Sequence, residues 1–214
     1  MCNVLIFDFF SGTGSATKPF TDAGHTVVTF ELSTNFTATE HVDISTLTSD
    51  YLIRTYGMPD FIWASPPCTT FSVASISHHW VKGGCNPQPR TDEARLAQEL
   101  VAHTLSLIKE LNPINGWLLE NPRGMLRKLP VVKGYKRETV TYCTYGDNRM
   151  KPTDLWGDVP NWTPRHMCSN GMSCHESAPR GAKTGTQGLR GTADRSRVPY
   201  ELGQELLNTM SRAS

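Results

Sequence analysis

The feature that most constrains the fold is a run of eight residues near the start, Asn3-Val-Leu-Ile-Phe-Asp-Phe-Phe10, broken at once by Ser-Gly-Thr-Gly-Ser at 11–15. A strand so nearly continuous in apolar, β-branched and aromatic side chains has to be covered on both faces. That is the condition of a central strand in a parallel sheet rather than of a half-solvated antiparallel one. Further short apolar runs follow at 25–32 (His-Thr-Val-Val-Thr-Phe-Glu-Leu), 42–44 (Val-Asp-Ile), 60–65, 117–121 (Trp-Leu-Leu-Glu-Asn) and 139–146. Helical segments are expected between them. Ala16–Ala23 is one, closed by Gly24. Asp92–Leu111 is the clearest, with Ala94, Ala97, Leu100, Val101, Leu105, Ile108 and Leu111 at helical spacing. The alternation predicts an α/β fold, a doubly wound and mostly parallel sheet with flanking helices.

In open sheets of this kind ligands bind beyond the carboxyl ends of the strands, and the unusual polar residues cluster there. Gly12 and Gly14 follow the first strand, Glu31 the second, Asp43 the third and Cys68 the fourth, while Glu120 closes the fifth. A glycine turn lets backbone approach a ligand closely, and a carboxylate after the second strand can accept both hydroxyls of a ribose. Cys68 sits in Ser-Pro-Pro-Cys-Thr-Thr-Phe-Ser, where Pro66 and Pro67 fix φ and remove two donors. Read alone, it is either a small buried hydrophobe or a nucleophile on a rigid ledge. Glu120, read alone, is either a helix-capping or ion-paired carboxylate or an acid raised by burial.

Charge is unevenly spread. The net charge is +1, yet residues 1–122 carry a balance of −6 and residues 123–151 one of +6. An acidic part beside a basic stretch suits a small-molecule site next to a phosphate-binding surface, or simply a solvated charged face. The hydrophobic share of 38% fits a soluble globule. The absence of a cationic signal start points to the cytoplasm, with cysteines as reduced thiols. No membrane is implied, and the chain is expected to act as a monomer.

In order along nearly the whole chain, these segments resemble the cytosine-5 DNA methyltransferases that use S-adenosylmethionine. Asp8-Phe-Phe-Ser-Gly-Thr-Gly14 is similar to the family's cofactor loop, Phe30-Glu-Leu32 to its ribose-binding strand end and Val42-Asp-Ile44 to the segment meeting the adenine. Ser65-Pro-Pro-Cys68 resembles the nucleophile loop and Glu120-Asn-Pro122 the Glu-Asn-Val segment. Asp147-Asn-Arg-Met-Lys151 resembles Gln-x-Arg-x-Arg, and Ser196-Arg-Val-Pro199 the final Asn-x-Val-Pro. The short form looks most like stand-alone phage-encoded members, which would place it in a bacterial host.

The resemblance implies a Rossmann-like core at 1–159, a target-recognition segment at 160–194 and a C-terminal helix at 195–214. It implies catalytic roles for Cys68, Glu120, Arg149 and Lys151. S-adenosylmethionine contacts are implied from Phe10, Ser11, Gly12, Thr13, Gly14, Glu31, Leu32, Asp43, Ile44, Pro66, Ser196 and Val198. Double-stranded DNA is the implied partner, met by Ser72, Arg123, Arg127, Lys128, Arg165, Lys183, Gln187 and Arg190. An RNA methylase of the same chemistry and a non-catalytic nucleic-acid binder are the alternatives.

Four departures stand out. Pro122 replaces Val, Lys151 replaces an arginine whose planar fork it cannot reproduce, and Ser196 replaces Asn. The recognition segment is very short, predicting a target of about two to four base pairs. That segment also holds His166, Cys168, Cys174 and His175. Cys-x5-Cys-His lacks the tight spacing of common zinc sites, so free thiols and no metal are expected.

Overall fold

A computed structural model describes residues 3–81, 86–169, 171–176 and 191–211. Its strands are β1 (Leu5–Phe9), β2 (Thr26–Glu31), β3 (Glu40–His41), β4 (Phe61–Ala64), β5 (Trp117–Pro122), β6 (Arg137–Thr141) and β7 (Pro152–Asp158). They form one sheet in the order β3-β2-β1-β4-β5-β7-β6. The first five are parallel neighbours, whereas β7 runs antiparallel to both β5 and β6. The helices are α1 (Lys18–Asp22), α2 (Ser49–Tyr56), α3 (Ile76–His79), α4 (Asp92–Leu111), α5 (Thr192–Ser196) and α6 (Tyr200–Ser211).

Side-chain alternation divides the core between the two faces of the sheet. Phe7, Phe9, Phe30 and Ile62 pack with Leu52 of α2 and with Val101, Leu105 and Ile108 of α4. Ile6, Phe61 and Trp63 point the other way, onto Phe20 of α1 and onto Leu202, Leu206 and Met210 of α6. Covering both faces is what the unbroken apolar strands require. Thr91 caps α4, its Oγ1 accepting from Ala94 N, and Asn112 closes it in the left-handed conformation (φ 43).

Several boundaries differ from those expected. The third strand is Glu40–His41, and Val42-Asp-Ile44 instead turns into a 3-10 helix whose N-cap is Asp43. Asp43 Oδ1 takes hydrogen bonds from Ser45 N and Oγ, satisfying donors a strand would leave to a neighbour. The strand expected at 139–146 occupies 137–141, then tightens into a 3-10 turn at Tyr142–Tyr145. β7 and α2 were not foreseen. β7 carries Pro152, Asp154 and Gly157, residues poor in strand propensity. Its Asp154 is fully buried and held by the guanidinium of Arg127.

Candidate active site

The register of the parallel strands assembles the site. β4 pairs with β5 so that Ala64 lies opposite Leu119. The chain leaving β4 (Ser65, Pro66, Pro67, Cys68) therefore runs beside Glu120 and Asn121. Asn121 Nδ2 donates to Pro66 O at 3.0 Å, tying the cysteine loop to the strand that carries the carboxylate. Cys68 O then accepts from the N–H groups of Phe71 and Ser72, both at 3.0 Å, closing a turn that fixes the Cys68 backbone. The next loop presses closely on this one. A Cβ on Gly124 would stand 2.3 Å from Phe71 O, so only glycine fits there. Met125 N donates to the same carbonyl at 2.8 Å.

Three titratable groups face one another here. Glu120 is only 6% exposed. Burial pushes its carboxyl above the ordinary range, opposed by the charge of Lys151 and by hydrogen bonds from Tyr142 and Ser65. The Tyr142 hydroxyl donates to Glu120 Oε1 at 3.0 Å. Burial and the charge of Glu120 push the Cys68 thiol up, while Lys151 pulls it back. Burial lowers the Lys151 ammonium, and Glu120 and Cys68 hold it up. Lys151 donates to Arg195 O at 3.0 Å and lies 4.5 Å from the centre of the Tyr142 ring. These groups can exchange protons, supply a thiolate and stabilise a nearby anion.

Arg149 does something different. Its guanidinium clasps Asp147, and Nη1 donates to Asp194 O at 3.1 Å and to Arg195 O at 3.3 Å. Both cations reach the returning α5 segment, but Arg149 is neutralised by Asp147, whereas Lys151 is the one coupled electrostatically to Cys68 and Glu120.

The second half of the site lies beyond β1 and β2. Phe10 (φ 62), Gly12 (φ 49) and Gly14 (φ 66) take left-handed backbone, and open space surrounds the position of a Cβ on either glycine. Glu31 organises this loop: Gly12 N donates to Oε2 and Ser33 N to Oε1, both at 2.9 Å. Val198 N reaches back to Ser15 Oγ at 2.9 Å, bringing the last segment onto the loop. Ser11 Oγ is buried without a partner among the described residues. An open glycine cradle, a carboxylate at the adjacent strand end and an unpartnered hydroxyl fit the ribose and amino-acid moieties of S-adenosylmethionine. Ile44 is buried, Leu32 is 67% exposed, and Ser196 Oγ donates to Ala193 O.

Asp8 was not foreseen, being hidden in the apolar β1 run. It is fully buried, accepts from Thr17 Oγ1 at 2.6 Å, and leaves Oδ1 without a partner among the described residues. Burial raises its pKa from 3.8 to about 7, the Thr17 hydrogen bond opposing and the charge of Glu31 adding.

The residues expected to face DNA separate into two groups. Arg123 and Lys128 are exposed. Arg127 forks onto Asp154 and also reaches Thr139 Oγ1, and Arg165 is bound to Glu201, Glu205 and Thr144 O above the Tyr145 ring. Both arginines are committed to contacts within the fold. Ser72 Oγ pairs with Ser75 Oγ at 2.9 Å. Lys183, Gln187 and Arg190 lie outside the described residues. Both His79 and Trp80 are buried: Trp80 supports the cysteine loop, its Nε1 donating to Thr70 O, whereas His79 Nδ1 meets Thr91 Oγ1 at the start of α4.

A sequence profile of C-5 cytosine-specific DNA methylases matches residues 4–131, from β1 past Glu120. A probable DNA (cytosine-5)-methyltransferase of Frog virus 3 (isolate Goorha) is 29% identical over 95% of this chain and 98% of its own length. Among solved structures, the Entamoeba histolytica methyltransferase EhMeth superposes with a TM-score of 0.53 at 12% identity. It covers 79% of this chain, which spans 58% of that protein, and the likeness is one of fold. The chain belongs to the C-5 cytosine-specific DNA methylase family, enzymes whose methyl donor is S-adenosylmethionine.

Proposed function

We propose that the protein methylates carbon 5 of cytosine in double-stranded DNA through a covalent adduct between Cys68 and the extruded base. The observation that carries this reading is the tie between Asn121 and Pro66, which sets the Cys68 loop beside Glu120 at adjacent strand ends. A base stacked in a duplex cannot present carbon 6 to a thiol held in a strand-end loop, so it must be flipped out.

In this mechanism Cys68 acts as the thiolate, forming a bond to carbon 6. Glu120, whose carboxyl burial makes a weaker acid, donates a proton to N3 as electron density arrives there, and carbon 5 becomes enamine-like. S-adenosylmethionine, when bound, supplies an electrophilic methyl group for carbon 5. Loss of the carbon 5 proton to water then expels the thiolate, and Glu120 recovers its proton from N3. Lys151 steadies the base oxygen and the ionised partners. Asn121 and the two prolines hold the angle of approach, and Glu31 with the Gly12–Gly14 turn holds the cofactor.

DNA is gripped by exposed cations after β5. Lys128, Lys133 and Arg137 border an open groove of about 720 Å³ next to Tyr135. Neutralising phosphates there makes binding fall steeply with salt. Residues 160–194 act as a minimal recognition segment reading about two to four base pairs.

The test is mass analysis of nucleosides after incubation with S-adenosylmethionine and either duplex DNA or folded RNA. 5-Methylcytosine in the DNA, in a short or degenerate context, is expected. Methylation confined to RNA overturns the substrate assignment.

A further inference from the structure

We infer that Cys143, Cys168, Cys174 and His175 form a closed, structural zinc site that fastens the recognition segment to the catalytic core. Their ligand atoms all lie within 4.8 Å of one another. Cys168 Sγ is 3.2 Å from Cys174 Sγ and 3.4 Å from His175 Nδ1. Cys174 Sγ is 3.7 Å from Cys143 Sγ and 3.8 Å from His175 Nδ1. Zinc–sulfur bonds of about 2.3 Å at tetrahedral angles place ligand sulfurs roughly 3.8 Å apart, and sulfur and nitrogen slightly closer. These four edges, 3.2 to 3.8 Å, approximate those of such a tetrahedron, and the other two are no longer than 4.8 Å.

Sequence spacing hides this set. Cys143 comes from the 3-10 turn after β6, and the other three from the segment after β7. His166, the fourth candidate by sequence, is not part of the cluster. Four protein ligands leave no open position for water, so the site is structural rather than catalytic.

The surroundings show what needs fastening. From residue 163 to 176, Cys168 is the one fully buried residue among those described, and Met167 and Met172 are exposed. A segment with so little apolar burial cannot hold its place by packing. It is nevertheless pinned to the 141–148 region: Cys168 N donates to Thr141 Oγ1 at 2.8 Å and Glu176 N to Asn148 O at 2.9 Å. That region carries Tyr142, which donates to Glu120, and Asp147, which clasps Arg149. A metal at this point would join the base of the recognition segment to the wall of the active site.

Metal analysis of protein produced in zinc-supplemented medium tests this without reference to activity. About one zinc per chain is expected, falling below roughly a tenth of that in Cys143→Ser and His175→Ala and unchanged in His166→Ala. Should the cysteine variant not fold, cobalt replacing zinc in the wild-type protein reports the site by itself. Thiolate-to-cobalt charge transfer and the strong visible bands of tetrahedral cobalt are expected. Zinc-free protein whose three thiols titrate freely, or form a Cys168–Cys174 disulfide on mild oxidation, overturns the inference. Full zinc retention by Cys143→Ser overturns it too.

Discussion

The two sides of the sheet use their charged residues in opposite ways. On the parallel side, from β3 to β5, Glu31, Asp43, Cys68 and Glu120 stand at strand ends without a salt-bridge partner among the described residues. The three carboxylates are held instead by backbone donors or by neighbouring hydroxyls. On the antiparallel side, residues 123–151 hold the +6 balance. Yet Arg127 is bound to Asp154, Lys136 to Asp158 and Arg149 to Asp147. Part of what reads as a nucleic-acid surface from charge alone is engaged in ion pairs within the fold, along the β6–β7 ribbon and the turn that joins it. In the proposed mechanism the reacting groups stand at the parallel strand ends, and the antiparallel edge sets the position of Tyr142 and Lys151. Charge summed over a stretch overstates the cations free to meet phosphate, because it cannot see carboxylates arriving from another strand.

The sharpest break of this contrast is Glu120→Gln, which keeps the shape and removes the proton. Turnover should fall about 10²–10⁴-fold with little change in DNA affinity. Unaltered turnover would move the acid elsewhere.

The antiparallel side divides under a paired test. Arg149→Met strands Asp147 and frees α5, so it should cost about 3 kcal/mol of stability in denaturant unfolding. Lys151→Met should instead lower turnover about 10²-fold with a smaller stability loss. The reverse pattern would exchange the roles assigned to them.

Asp8 sharpens the parallel side. Its folded pKa is about 7 against an ordinary 3.8, so between those values the folded protein holds a proton that the unfolded chain has released. Stability contributed by the neutral carboxyl is present at low pH and is lost as pH rises from about 4 to about 7. The loss reaches at most about 4 kcal/mol. Thermal unfolding across that range should show the decline in the wild type and a flatter profile in Asp8→Asn. Parallel profiles would mean that Asp8 is ionised in the fold.

The smallest effect is expected at Glu31, where Glu31→Ala should weaken S-adenosylmethionine binding by about 1–3 kcal/mol in calorimetry. Unchanged affinity would place the ribose elsewhere.

The same contrast explains what was legible in the sequence. The parallel strands announce themselves because burial on both faces demands unbroken apolar runs, and their ends therefore flag Gly12, Glu31, Cys68 and Glu120 as odd residues out. β7 escapes because Asp154 and Gly157 contradict strand propensity, and only contacts from distant residues, the Arg127 guanidinium and the Thr139 hydroxyl, make a buried aspartate tolerable. Asp8 escapes for the converse reason, since one carboxylate inside an aromatic run looks like noise. The roles of Arg149 and Lys151 cannot be separated by spacing, because they depend on the turn at Asp147 and on where residues 194–195 return. Cys143 reads as a strand residue until the chain is seen to leave β6 at Thr141.

The central claim is that Cys68, set beside Glu120 by the pairing of β4 with β5, is the nucleophile. Duplex DNA carrying 5-fluorocytosine should trap it, because fluorine at carbon 5 blocks the final proton loss. The account predicts an adduct that survives denaturation, requires S-adenosylmethionine, maps to the Cys68 peptide and is absent in Cys68→Ala. A cofactor-dependent adduct undiminished in Cys68→Ala would contradict it.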